Sequence, residues 1–295
     1  MSILEEIKAR FKKGDALVRL LFVNAAVFLL LTIYLLIMHV GAIHAPAWLG
    51  EDLGLAALSN LARMAYRPWS IVTHMFTHIQ FGHFLFNMIA LYTMGQLFVS
   101  LKGSRKLTAL YLLGGFSGYV LFVLSYNLLP VFHTTQGSYV LGASAAVMAI
   151  TVATATLDPS RVIYIFGAIK LELKWLAAIL VLLDLASVRS GINSGGHIGH
   201  IGGALFGFIY ARQLQKGNDM GRWMDNIISR LGSLFSKKRM TVASTNARAK
   251  SDEQFNLEKK ARQKRVDEIL DRISRSGYDS LSKDEKEFLF KNSQR

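Results

Sequence analysis

The chain contains no cysteine, only four prolines among 295 residues, and few acidic residues. Without cysteine there is no disulfide, no thiolate metal site and no cysteine nucleophile, so redox chemistry does not indicate a compartment. The 20 Asp and Glu stand against 34 Lys and Arg, which leaves a formal net charge of +14. Positive-inside membrane topology and attraction to anionic lipid explain such a charge. Because no nucleic-acid-binding module accompanies it, we expect no nucleic-acid partner.

Hydrophobic residues make up 52% of the chain, and long runs of them approach the ~20 residues that cross a bilayer. We predict an all-α, polytopic membrane protein with six transmembrane helices, and the four prolines fall between them, as unbroken spans require. The predicted helices cover residues 20–40, 81–101, 107–129, 139–157, 175–187 and 197–211. The division of the chain is a basic cytoplasmic N-terminus 1–19, a membrane domain 20–212 with an outer loop L1 at 41–79, a flexible polar linker 213–255, and a small helical cytoplasmic tail 256–295.

Basic clusters at both ends, at 102–106 and at 161–174 alternate with loops poor in Lys and Arg. This alternation predicts that both termini face the cytoplasm. The second, fourth and sixth helices then start at the outer face, each with unusual polar residues about one turn inside, at a depth of roughly 6 Å. Polar groups within membrane helices are costly and usually functional. We therefore expect these three helix starts to form one site.

The stretch Gly142-Ala-Ser144-Ala begins the fourth helix, and His200 precedes Gly203 and Gly207 in the sixth. Both patterns have a packing interpretation, since small residues at spacing four allow close helix approach. They also fit a serine nucleophile, which needs a base such as imidazole within hydrogen-bond reach.

His83 and Asn87 lie one turn apart on the second helix. They either hydrogen-bond between helices or donate to a developing oxyanion, which is a large term in acyl transfer.

The histidines allow a metal hypothesis as well, because the pairs His74/His78 and His197/His200 have ligand-like spacing. Carboxylate or thiolate ligands are missing near them in the sequence, so we predict no metal site. The only acid within a predicted span is Asp184. It could orient a histidine, but we expect it to cap the outer end of its helix.

Taken together, Trp69, His74-xxx-His78-xxxx-His83-xxx-Asn87, Gly142-x-Ser144 and His200-xx-Gly203-xxx-Gly207 resemble the rhomboid intramembrane serine proteases over residues 17–212. The resemblance implies a six-helix bundle that opens to the outer face of a bacterial inner membrane. It implies Ser144 as nucleophile and His200 as general base and acid in a dyad without a third acid, so that Asp184 is structural. His83, Asn87 and the Ser144 backbone N–H would form the oxyanion hole, and Gly142 would keep the turn tight. No cofactor is expected.

Three positions depart from the family's pattern. Ala145 stands where glycine often follows the serine, and Ser70 stands where arginine often follows the L1 tryptophan. Met148 replaces an aromatic residue that stacks on the catalytic histidine in many members, although a polarisable thioether can still contact the ring. These departures bear on substrate preference and rate more than on mechanism.

The expected partners are single-span or membrane-anchored protein substrates and the lipid bilayer. The alternatives are a catalytically inactive rhomboid-fold binder of membrane proteins and a histidine-based metal or solute transporter. In the tail, residues 256–276 predict an amphipathic helix, and Ser282-x-x-Glu285 is a capping-box signature. A solvated helical hairpin is the main interpretation of the tail, with anionic lipid or a regulatory partner as the alternatives.

Overall fold

The computed structural model describes residues 5, 15–42, 53–135, 138–165, 167–189, 191, 193–224 and 252–293. The chain divides into two units, Met1–Phe235 and Ser236–Arg295. Most of the basic N-terminus, part of loop L1 and the central part of the predicted linker (225–251) lie outside the described residues.

Helices dominate the first unit. Six of them have 14 residues or more, counted within the ranges given above: α1 (Ala16–Val40), α4 (Phe81–Lys102), α5 (Ser104–Leu128), α6 (Ser144–Leu157), α7 (Leu173–Val188) and α8 (Ser194–Gln215). Two short helices, α2 (Leu61–Ala65) and α3 (Ser70–Thr73), and a 3₁₀ turn His74–Phe76 lie in L1, and a second 3₁₀ segment covers Pro130–Thr135. The predicted all-α polytopic fold is confirmed.

Three helices, α1, α4 and α5, are long and apolar enough to cross a membrane by length and composition. The side chains of α1 that face away from the bundle are aliphatic and largely exposed, for example Leu30 at 68% and Val40 at 76%. Exposed apolar surfaces of this extent are typical of membrane or protein interfaces, and a lipid environment fits this one. The helix begins at Ala16 rather than at residue 20, because the Asp15 carboxylate accepts a 3.1 Å hydrogen bond from the Val18 N–H and caps the helix.

Helix α6 is short, with 14 residues, and it lies at the centre of the bundle. Its side chains are buried over most of its length, and it packs against α4, α5, α7 and α8. The helix begins at Ser144 itself, five residues later than the predicted start at residue 139, because Tyr139–Val140 form a strand and the turn at Gly142 follows it.

Two small antiparallel strand pairs were not predicted. Strands β1 (Ala57–Leu58) and β2 (Tyr139–Val140) join L1 to the segment before α6, with Ala57 opposite Val140. Strands β3 (Val162–Ile165) and β4 (Ile169–Glu172) form a hairpin between α6 and α7. The predicted interfacial segment 158–174 therefore contains a β-hairpin.

The second unit contains α9 (Asp252–Ser276), a 3₁₀ turn Tyr278–Ser280 and α10 (Lys283–Ser293). The capping box is confirmed: the Glu285 N–H donates to the Ser282 Oγ at 3.3 Å, and the Ser282 N–H donates to the Glu285 carboxylate at 2.9 Å. The Ser282 backbone N–H holds the pKa of Glu285 below its usual value. Ile269 of α9 and Leu281 of the turn are buried, which supports the predicted helical hairpin.

Candidate active site

The turn before Ser144 is shaped by a glycine in a conformation that other residues rarely adopt. Gly142 has φ +113°, in the region that favours glycine. A Cβ at this position would lie 2.6 Å from Cε1 of the His83 ring, so the ring occupies the space that a side chain would need. Gly142 therefore supports the turn both by its backbone conformation and by the space it leaves for His83.

Loop L1 holds this turn through two hydrogen bonds. The Gly142 N–H donates to the His74 carbonyl at 2.8 Å. The Ala143 N–H donates to Nε2 of the His78 imidazole at 3.2 Å. With the β1–β2 pair, these bonds fix the backbone that presents Ser144 at the start of α6.

His74 and His78 are both buried and both hydrogen-bonded in a defined orientation. Nδ1 of His74 lies 2.8 Å from the Ser70 carbonyl, and because a carbonyl only accepts, this nitrogen carries the proton. Nε2 of His78 accepts from Ala143, so it is unprotonated. Desolvation lowers the pKa of each histidine from 6.5 to about 4. Both are therefore neutral near pH 7, which the hydrogen bond accepted by Nε2 of His78 requires.

Glycines on α8 bring it into contact with α6. A Cβ on Gly203 would collide with the Ala145 carbonyl, and one on Gly207 would collide with the Ala149 carbonyl. The two helices therefore approach until backbone meets backbone, in the manner of small-residue packing between membrane helices. This approach places His200, one turn before Gly203, beside the start of α6.

The Ala145 departure has a structural counterpart on α5. A Cβ built on Gly118 would lie 2.6 Å from the methyl group of Ala145. The additional methyl of Ala145 thus occupies space that Gly118 leaves open. Gly114, one turn earlier, faces Ala149 in the same way.

One cavity of about 180 Å³ contains both predicted catalytic side chains. It is lined by Phe86, Asn87, Ala90, Ser144, Val147, Met148, Thr151, Leu180 and His200. The structure thus brings Ser144, His200, Asn87 and Met148 together from α4, α6 and α8. In the described part of the chain no hydrogen bond joins Ser144 to His200. Such bonds often tighten only when substrate is bound.

The two predicted oxyanion donors occupy different positions. Asn87 lines the cavity and is buried, and its Nδ2 donates to the His83 carbonyl one turn earlier at 2.8 Å. His83 is not among the cavity-lining residues, and its ring lies against Gly142 and 5.2 Å from the His78 ring. Among the residues that the structure describes, neither side chain donates a hydrogen bond to Ser144.

Asp184 does not cap its helix as predicted. It lies inside α7, only 7% exposed, and its Oδ1 is 2.8 Å from Nδ1 of His200 and 2.7 Å from Nδ1 of His197. Because a carboxylate only accepts, both Nδ1 atoms carry their protons. The second nitrogen of His200, Nε2, is thereby left as the potential base.

The expectation that no carboxylate lies near the histidine pairs was wrong, because Asp184 lies beside His197 and His200. Asp184, His197 and His200 offer donor atoms within 4.8 Å of one another, a set that could hold a metal ion. In the structure these atoms are instead hydrogen-bonded to each other. In the other pair, His74 uses Nδ1 in its hydrogen bond to Ser70 and His78 uses Nε2 in its hydrogen bond to Ala143.

Several residues of the site were missed in the sequence. His74 and His78 were given no role there beyond the metal hypothesis and the family pattern, and their proximity to residues 142–143 depends on the path of L1, which no local pattern encodes. Leu180 and Phe86 line the cavity as ordinary apolar helix residues. Asp184 did carry a signal, as the only acid inside a predicted span, but the sequence did not show which face of α7 meets α8.

Two family models match the chain. The Rhomboid domain model matches residues 65–216, and a family of unknown function, DUF6576, matches residues 250–295. The second match coincides with the helices of the second unit.

Relatives with the same family name occur among known proteins. RHOMBOID-like protein 12, mitochondrial, of Arabidopsis thaliana is 29% identical over 160 residues, which cover 51% of this chain and 48% of that protein. Presenilin-associated rhomboid-like protein A, mitochondrial, of Danio rerio is 34% identical over 144 residues, covering 48% of this chain and 36% of that protein. The chain thus spans less than half the length of either relative. Because the Rhomboid model covers more than half of its residues, with the last part of L1, Ser144 and His200 inside the match, the chain belongs to the rhomboid family of membrane proteins.

Proposed function

We propose that the protein is an intramembrane serine endopeptidase that hydrolyses peptide bonds of membrane-anchored proteins. The observation that carries the proposal is the shared cavity of Ser144 and His200, whose lining includes the amide-bearing Asn87. A hydroxyl, an imidazole and a hydrogen-bond donor around one space are the components of acyl transfer. Membership of the rhomboid family supports the same chemistry.

In the first half of the reaction, Ser144 Oγ attacks the carbonyl carbon of the scissile bond while its proton passes to Nε2 of His200. The oxyanion of the tetrahedral intermediate accepts hydrogen bonds from the Ser144 backbone N–H and, after reorientation, from Asn87 and His83. His200 returns the proton to the amine nitrogen as the C–N bond breaks. The product is an acyl-enzyme on Ser144.

In the second half, a water molecule gives its proton to His200 and attacks the acyl carbon. His200 then returns a proton to Ser144 Oγ as the ester bond breaks. Serine and histidine are both regenerated, and no cofactor takes part.

The substrate is a membrane-anchored segment that unwinds near the outer interface and exposes an extended peptide bond. The cavity has a volume of about 180 Å³, which suits a small side chain. Its lining is largely apolar and includes Val147, Met148 and Leu180. The alternating basic loops support an orientation with both termini in the cytoplasm, whereas a bacterial inner membrane is proposed on the family resemblance alone. The tail hairpin remains available for anionic lipid or a regulatory partner.

Cleavage of a generic single-span substrate in liposomes tests the proposal. Wild type should cleave, whereas Ser144→Ala and His200→Ala should not, since a hydroxyl without its base is a weak nucleophile. The exposed Ser100 and His39 provide matched controls, and Ser100→Ala and His39→Ala should cleave at the wild-type rate. A chelator should have no effect.

Two other outcomes would favour the alternatives. A well-folded wild type that binds several membrane substrates and cleaves none would be an inactive rhomboid-fold binder. Cleavage that persists in Ser144→Ala would overturn the serine mechanism, and binding that depends on metal and survives loss of Ser144 would favour a transporter.

A further inference from the structure

Asp184 of α7 contacts the proposed base on the side away from its free nitrogen. It is the only Asp or Glu in the six long helices, and its Oδ1 lies 2.8 Å from Nδ1 of His200. We propose that Asp184 is a positioning residue that orients His200 and stabilises its protonated form, so that this chain works with a Ser144–His200–Asp184 relay rather than a dyad alone. The inference rests on the proposed proteolytic function.

The hydrogen bond fixes which nitrogen of His200 acts as the base. A carboxylate accepts only, so Nδ1 of His200 must carry the proton, and Nε2 keeps its lone pair. During attack the imidazole gains the proton of Ser144 and becomes positively charged. A carboxylate in hydrogen-bond contact stabilises that charge and need not take up a proton itself, as in serine hydrolases with a triad.

His197 explains how the carboxylate is held. It lies one turn before His200 on α8, with its ring 5.9 Å from the His200 ring at 85°, and it donates to the same Oδ1 at 2.7 Å. Asp184 is thus held from one side while it orients His200 from the other. His197 is absent from the cavity lining, so we assign proton transfer to His200.

Helix packing alone would not require a charge here. A carboxylate inside a membrane helix is costly, and a neutral amide could accept the same two hydrogen bonds at lower cost. A charge is useful where positive charge develops, as it does on His200 during attack. Met148, which stands where many relatives place an aromatic on the catalytic histidine, leaves orientation of the ring to another contact, and Asp184 provides one.

Asp184→Asn tests the proposal, because the amide keeps the shape and removes the charge. We expect kcat to fall at least about tenfold with little change in KM, since the residue acts on proton transfer and does not contact substrate. Labelling of Ser144 by a fluorophosphonate should slow in parallel, and Asp184→Glu should recover part of the loss. Asp158→Asn, at the exposed end of α6 where Asp158 pairs with Arg161, is the matched control and should behave as wild type.

His197→Gln separates positioning from helix packing. Glutamine can still donate to Asp184, so we expect a smaller loss of kcat than in Asp184→Asn, with similar thermal inactivation in both variants. If Asp184 only joins α7 to α8, both variants should keep kcat, because the amides preserve the hydrogen bonds between the helices. That result would overturn the proposal.

Two further results have distinct meanings. A wild type inhibited by a chelator and restored by Zn²⁺ would mean that the three side chains bind metal, which contradicts the hydrogen-bonded relay. Activity that is lost in Ser144→Ala but retained at full kcat in Asp184→Asn would leave the proposed protease intact and refute the role of Asp184.

Discussion

The backbone N–H of Ala143 donates a hydrogen bond to Nε2 of His78, 65 residues earlier in the chain, at 3.2 Å. This bond connects L1 directly to the residue before the proposed nucleophile. It exists only while His78 is neutral, because a protonated imidazole has no acceptor nitrogen. The position of Ser144 therefore depends on the protonation state of a buried loop histidine.

Acidification should destabilise the protein through His74 and His78. Desolvation lowers their pKa to about 4 in the folded state, against about 6.5 when unfolded. Between these values the unfolded chain binds more protons, so stability is complete above pH 6.5 and falls as the pH drops towards 4. The loss reaches about 3 kcal/mol per histidine. Thermal inactivation of wild type across pH 4–7.5 measures it.

His78→Gln is the variant for this experiment, since glutamine keeps an acceptor for the Ala143 N–H and does not titrate. Its inactivation temperature should change less between pH 7 and pH 5 than that of wild type. The control variant is His39→Gln, which replaces an exposed histidine and should show the same pH dependence as wild type. Equal pH dependence in wild type and His78→Gln would show that His78 does not contribute.

Gly142→Ala should abolish cleavage. The positive φ costs an alanine roughly 1 kcal/mol, and the new methyl would also displace the His83 ring. Gly103→Ala is the control, because Gly103 has φ +86° with no atom near its Cβ position and so carries the backbone cost alone. If both variants cleave alike, the contact between Gly142 and His83 has no role in the site.

Gly203→Ala and Gly207→Ala should separate α6 from α8 and reduce both activity and stability. Overpacking of this kind costs about 1–3 kcal/mol. Gly199→Ala, on the same helix, is the matched control, since the only atom near its Cβ position is the Gly118 carbonyl oxygen at 3.8 Å. Thermal inactivation in detergent compares the three variants. A Gly199→Ala variant as damaged as Gly203→Ala would argue against the packing explanation.

The sequence predicted those features that depend on one helix at a time. The approximate bounds of the other long helices and the glycine face below His200 follow from hydrophobic runs and from residues spaced by one turn, whereas the predicted start of the fourth helix at residue 139 was wrong, since α6 begins at Ser144. The helix starts that bring Asn87, Ser144 and His200 to one depth followed from the topology. The shared cavity agrees with that expectation.

Contacts between segments that are distant in the chain could not be predicted from hydrophobic runs or residue spacing. Asp184 and His200 meet because α7 and α8 pack with particular faces together, and an apolar helix such as α7 gives little indication of its rotation. The bonds from His74 and His78 to residues 142–143 require the fold of L1. The pair β1–β2 has only two residues in each strand, too few for a recognisable alternation.

The absence of cysteine makes the proposed topology directly measurable. Val131 and Lys170 are exposed and lie in connections that should face opposite sides of the membrane. A single cysteine can be introduced at either position. In intact cells an impermeant maleimide should label Val131→Cys and leave Lys170→Cys unlabelled until the membrane is permeabilised. The reverse pattern would invert the topology and place the proposed site at the cytoplasmic face.

Activation of Ser144 by His200 is the central claim, and covalent labelling measures it without any choice of substrate. A fluorophosphonate should modify wild type in liposomes, and mass spectrometry should locate the adduct on Ser144. His200→Ala should label at least about a hundredfold more slowly, as expected on loss of a general base. Labelling of His200→Ala at the wild-type rate, or an adduct on any other residue, would show that His200 does not activate Ser144.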